Sequence, residues 1–275
     1  MTGLQGSDQK LPVRGELRLF YAASVLIALL MAVVSLVGLT NRELVYPTEE
    51  LVQGFAANDV ANLFIGLPIL IWCMWSARRG KLTGLLCWPG ALFFVAYNYL
   101  AYVFVLPVSW AFFGYLGLVV LSVYTLVGLV AITDGSAVQG RLAGRVPERF
   151  AAGVLTAFGA LFFLRVFLEI GGTLTGGEPM PGPELGANIS DFFTSPLLVI
   201  GGVQLWRRRP FGYLAGLGLL FQASALFIAL ILFLVVQPVL TNAPFAALDV
   251  VFVLVMGLVC FVPFGLFLRG ALERG

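Results

Sequence analysis

Apolar runs long enough to cross a lipid bilayer recur along this chain, and charged residues are confined almost entirely to the joints between them. That feature restricts the fold more than any motif does. A hydrocarbon core about 30 Å thick needs roughly 20 apolar residues of helix and admits no lipid-exposed backbone without internal hydrogen bonds. Eight such segments are predicted, near 18–39, 60–77, 82–105, 111–132, 150–170, 192–206, 211–236 and 246–268. Only 11% of the 275 residues are charged, against about 25% in soluble domains, so lipid is the expected solvent. The third and fourth segments are separated only by "PVSW"; fused into one bent helix, they would lower the count to seven.

The basic residues decide between eight and seven. Eight crossings place Lys10, Arg14, Arg18, Arg78, Arg79, Lys81, Arg141, Arg145, Arg149, Arg207, Arg208, Arg209, Arg269 and Arg274 on one side. The other side receives only Arg42, with Arg165 buried nearby, and collects Glu43, Glu49, Glu50, Asp59, Glu178, Glu184 and Asp191. By the positive-inside rule the basic side is cytoplasmic. Both termini are therefore expected in the cytoplasm of a cell-membrane protein, which requires an even count. Trp75, Trp88 and Trp206 near the basic joints, with Tyr46 and Trp110 opposite, read as interfacial belts. A basic N-terminus before an apolar run has some likeness to a signal peptide. The run 19–39 is too long for one and lacks an A-x-A exit, so it is read as a retained first span.

Shifting the chain by 129 residues aligns "AASVLIA" from Ala22 with "AAGVLTA" from Ala151, Arg78-Arg79 with Arg207-Arg208, Glu49 with Glu178, and Gly128-Leu129-Val130 with Gly257-Leu258-Val259. Alignments of Ala, Leu and Val carry little in such a composition, but arginines at the same turn carry more. The expected fold is thus an all-α membrane bundle of eight helices in a four-plus-four parallel repeat. Its parts are a cytoplasmic tail over 1–17, a first unit over 18–133, a cytoplasmic linker over 134–148 and a second unit over 149–275.

Absences narrow the chemistry. There is no histidine, which removes His-ligated haem, the usual zinc sites and Ser-His-Asp catalysis. Lys10 and Lys81 lie in polar segments, and Cys73, Cys87 and Cys260 stand singly in apolar ones, where they read as small core hydrophobes. No cofactor, metal site or catalytic residue is expected. The net charge of +2 and the absence of a basic stripe argue against nucleic acid.

Within the greasy run "LFFLRVFLEI", Arg165 and Glu169 stand one helical turn apart. Arg165 lies roughly 24 Å along its helix from Arg149 at 1.5 Å per residue, a turn or two below the outer interface. A helical side chain leans toward its own N-terminus, so Arg165 leans inward rather than snorkelling out, and Glu169 leans onto it as an i,i+4 partner. Intramembrane charges are expensive and mark function by default; structural pairing is the competing reading. Leu36 occupies the matching position of the first unit, so the charge belongs to one copy only.

Other polar groups fall at similar depth. "AYNYLAY" places Asn98 and Tyr102 at i and i+4 on span three, as interhelical glue or as ligand contacts. Asp249, at the start of span eight, suits a helix-start acid, and Gln222 in span seven suits an interhelical bond. Spans two and six are short, carry Pro68 and Pro196, and are entered through Asp59 and Asn62 and through Asp191. Paired short or interrupted spans point to a transporter site; the aspartates are also natural N-caps. Gly212 and Gly216, spaced as GxxxG, read as a close helix contact. The candidate ligand-binding set is Arg165, Glu169, Asn98, Tyr102, Asp249, Asp59, Asn62 and Asp191.

"LWRRRPFGYLAG", "CFVPFGLFLRG" and "YNYLAY" resemble segments of a group of uncharacterised prokaryotic eight-helix integral membrane proteins. The resemblance implies the multipass fold over most of the chain and no activity, cofactor or catalytic residue. Two functions fit these residues. One is a protein that binds or transports a small polar or amphiphilic molecule through an outward vestibule. The other is a non-transporting scaffold, sensor or accessory subunit. The lipid bilayer is the one assured partner, and an intramembrane enzyme has the least support.

Overall fold

The computed structural model describes residues 11–176 and 179–272; Lys10, Glu178 and Arg274 of the readings above lie outside them. The chain forms α1 (Arg18–Thr40), α2 (Arg42–Val45), α3 (Glu49–Ala61), a π turn (Asn62–Gly66), α4 (Leu67–Arg78), α5 (Leu82–Val105) and α6 (Trp110–Ile132). It continues through α7 (Gly135–Leu142), α8 (Glu148–Leu174), α9 (Gly182–Trp206), α10 (Pro210–Leu240) and α11 (Ala247–Leu272). Among the described residues eight helices are long and apolar enough to cross a membrane, with α3, the π turn and α4 running on as one of them. Each satisfies its backbone internally, as a hydrocarbon solvent demands.

The bundle has two distinct ends. Arg78 to Lys81, Arg141 to Arg149, Arg207 to Arg209 and Arg269 share one, the basic face. The connections around α2, 106–109, the α8–α9 joint and 241–246 share the other, the loop face. At the basic face Asp134 caps α7 by accepting from the Ser136 and Ala137 amides and pairs with Arg14 at 3.2 Å. Residues 11–14 are tied down there, since the Arg14 amide donates to the Ile132 carbonyl and the Asp134 amide to that of Pro12. Glu148 binds Arg208 at 2.6 Å, the Tyr213 hydroxyl and the Gly144 amide, joining α7, α8 and the α9–α10 turn.

Two central helices organise the rest. α5 packs against α4, α6, α9 and α10, and α10 packs against α3, α5, α9 and α11. They meet where Gly90 faces the Gly218 backbone, an approach that leaves no room for a Cβ at Gly90. Gly212 is pressed likewise against the backbone of α9 at Leu205, a close contact that Gly216 extends. The principal core joins α1, α4, α5 and α10 through residues such as Met31, Cys73, Leu92 and Leu217.

Two expected boundaries shift. The second and sixth spans are not short: they begin at Glu49 and Gly182, about ten residues earlier than their apolar runs. Asp59 and Asp191 are therefore mid-helix residues and cap nothing; Thr48 caps α3, accepting from the Leu51 amide at 3.3 Å. The interfacial belts also lose two members. Trp88 is fully buried and donates to Ser24 at 3.0 Å, and Tyr46 is buried against Asp59, because both face other helices rather than lipid.

Candidate functional site

The polar residues of the loop half gather in two places. In the first, Arg165 and Glu169 pair along α8, with Nε to Oε1 at 2.7 Å and Nη2 to Oε2 at 3.4 Å. The i,i+4 geometry is the one helical lean dictates. α9 supplies a third member, since Asn188 donates from Nδ2 to Glu169 Oε2 at 2.8 Å. Asn188 is fully buried. Sequence reading missed it because a single Asn ahead of the apolar run carries no local signal.

Arg165 also borders a cavity of about 650 Å³ lined by α3, α5, α8, α9 and α10. Asp191 stands in the same wall and accepts from the Tyr97 hydroxyl at 2.9 Å, while Ser190 donates to the Tyr97 carbonyl at 2.9 Å. Asn98 and Gln222 line it as well. Its other flank is apolar, built from Phe158, Phe162, Phe227 and Phe233. The cavity thus has a polar wall and a hydrocarbon wall, the form suited to an amphiphile. On α10 it reaches as deep as Gln222; one turn further toward the basic face, Gly218 is packed on α5.

The second gathering is sealed. Asp59 is fully buried, and its carboxylate accepts from the Tyr46 hydroxyl and from the Tyr102 hydroxyl at 3.0 Å. Tyr99 and Tyr115 close the aromatic cage, with Tyr102 and Tyr115 ring centroids 5.0 Å apart, and Ser35 bonds Tyr99 at 2.9 Å. A methyl group on Gly38 would collide with the carboxylate, so glycine is what lets α1 approach it. Asn62 opens the π turn, fully buried with neither amide atom hydrogen-bonded. Asn58 connects the two places: it faces the cavity and donates to the Tyr102 hydroxyl at 3.4 Å.

Of the eight sequence candidates, Arg165, Asn98 and Asp191 line the cavity, and Glu169 sits behind Arg165. Asp59, Asn62 and Tyr102 form the sealed cluster. Asp249 joins neither, being exposed in the first turn of α11. Asn98 and Tyr102 do not act together: Asn98 donates to the Phe94 carbonyl of its own helix at 3.0 Å, so its amide nitrogen is no interhelical glue. Among the described residues Gln222 makes no interhelical bond either; its Oε1 is buried without a partner. Tyr97, Asn188 and Asn58, and the tyrosines around Asp59 other than Tyr102, are among the site residues that sequence reading passed over.

No family model matches the chain, and no curated protein or solved structure matches it significantly. The likeness drawn from three short segments gains no support from those comparisons, and function has to be argued from the cavity itself.

Proposed function

We propose that this multipass membrane protein binds a small polar or amphiphilic molecule in the cavity between α5, α8, α9 and α10, entering from the loop face. One observation carries the reading: a single cavity joins buried polar groups to a phenylalanine flank. The close packing of Gly90 on Gly218 beneath it favours a one-sided vestibule over an open path. By the distribution of arginines, the loop face is extracellular and both termini are cytoplasmic in the cell membrane.

Duplication of a four-helix unit is part of the same proposal. α5 meets α9 where α10 meets α3, as an exchange of units requires. The 129-residue shift also sets Asp59 on Asn188 and Asn62 on Asp191, an acid and an amide exchanged between equivalent helices. The second reading, a scaffold or accessory subunit, draws support from the pairing of Arg165 with Glu169, which stabilises the fold without any ligand.

Native mass spectrometry of protein extracted in a neutral detergent separates the two. The binding reading expects a co-purifying molecule that is lost in Ala187→Phe, a change that fills the cavity from α9. Protein that carries no adduct, or an adduct indifferent to that substitution, would leave the scaffold reading standing.

A further inference from the structure

The hydrogen-bonding valences of the cavity wall are unequally used. Five carboxamides border it, and in four of them the amino group is already engaged, Gln222 being the exception. Asn58 donates to Tyr102, Asn98 to the Phe94 carbonyl, Gln53 to Glu49 at 3.3 Å, and Gln237 to the Gln53 carbonyl at 3.0 Å. Three of the four hydroxyl donors are spent in the same way: Tyr97 on Asp191, Ser190 on the Tyr97 carbonyl, and Thr194 on the Ser190 carbonyl at 2.7 Å, leaving Ser195. The donors left over are the Gln222 amino group, the Ser195 hydroxyl and Arg165 Nη1, and the free acceptors outnumber them. Among the described residues nothing donates to the carbonyl oxygens of those four amides or to Asp191 Oδ2, and Gln222 Oε1 is orphaned in a side chain 2% exposed. Only Gln222 Oε1 is fully buried, where an acceptor without a donor costs about 1–3 kcal/mol; with the other free acceptors beside it, the wall is complementary to a molecule that brings N–H groups.

Charge points the same way. Arg165 is the one cation of the wall, and its Nε and Nη2 already serve Glu169. Glu50 and Asp191 contribute two further carboxylates. Counting Glu169, which sits behind Arg165 rather than in the wall, one positive charge stands against three negative ones among the described residues. An anionic ligand would enter an excess of negative charge in a setting of low dielectric, where such terms are strongest.

We infer that the cavity takes an organic amine: a protonated nitrogen held by Asp191, with an apolar body lying along Phe158, Phe162 and Phe227. This rests on the binding reading above and narrows it to one class of ligand. It also changes the role of Arg165, which orients Glu169 and borders the site without supplying the recognition charge.

Decylamine, decanol and decanoate share a chain length and differ in head group. Their apparent affinities can be read from thermal-shift titrations in a neutral detergent at pH 7, where an alkylammonium, like lysine with its pKa of about 10.4, is charged. Decylamine should bind most tightly to the wild type. Asp191→Asn keeps the acceptor for Tyr97 and removes the charge, and should weaken decylamine about tenfold or more, while Ala187→Phe should abolish its binding. Decanoate as the best ligand, lost in Arg165→Leu, would overturn the amine and keep the binding site. Decylamine binding unchanged in Asp191→Asn would also overturn it. Probe effects that persist in Ala187→Phe would remove the binding reading along with it. The wild-type comparison of the three probes stands even if Asp191→Asn fails to fold.

Discussion

Glu169 lies five residues before the end of α8, where the helix dipole disfavours an anion, and it is held there by Arg165 and Asn188. Removing Arg165 alone, as Arg165→Leu, leaves that carboxylate with one amide donor and should cost about 1–3 kcal/mol in unfolding free energy. Removing both charges, as Arg165→Leu with Glu169→Leu, should recover most of the loss, because the penalty lies in the stranded charge rather than in the missing bond. Denaturant unfolding of the four proteins closes the cycle; strictly additive losses would show that the two side chains are not coupled. This pair was legible in the sequence because it is local, fixed by i,i+4 spacing on one helix. Asn188 and the tyrosine cage around Asp59 were not. Tyr46 and Tyr102 reach the carboxylate and Tyr99 and Tyr115 pack beside them, from three different segments, and no spacing along the chain announces such a meeting.

At the scale of elements, hydropathy located all eight crossings but misplaced the starts of two. From Glu49 to Asn58 and from Gly182 to Ser190 the helices carry Glu, Gln, Asn and Ser, so the average falls and the spans look recessed. Several of those side chains face the cavity and other helices instead of lipid, and a helix with polar company need not be apolar. The misreading thus coincides with the candidate site. α7 poses the opposite case, a short helix outside the spans whose start depends on one side chain. The Ala137 amide first, and then Arg14, hold the Asp134 carboxyl below its usual range. A depressed carboxylate contributes stability that is full above the ordinary aspartate value and is lost as pH falls through the folded one. Asp134→Asn, the neutral mimic at pH 7, should speed amide exchange at Arg14 and at residues 136–137, and acidification of the wild type should approach the same rates. Unchanged protection in Asp134→Asn would mean that backbone pairing alone anchors residues 11–14.

For the whole molecule, the one-sidedness of the arginines is what turns a bundle into an oriented one. Moving that many cations across a bilayer is opposed at every loop, so the proposed orientation puts the basic face inside and opens the cavity outward. Cys73, Cys87 and Cys260 are all buried free thiols, which gives a low background for labelling by an impermeant maleimide. Single cysteines at Val108 and Thr241 on the loop face should react in intact cells. One at Ser136, on α7 at the basic face, should react only after the membrane is opened. The two sets sample opposite ends of α6 and the end of α10 farthest from the arginines, so any even arrangement of crossings predicts the same split. Label at Ser136 from outside, with Val108 and Thr241 protected, would invert the protein, and an amine reaching Asp191 would then come from the cytoplasm. Label at Ser136 and Val108 from the same side would mean that α6 does not cross, and the four-plus-four plan would fail with it.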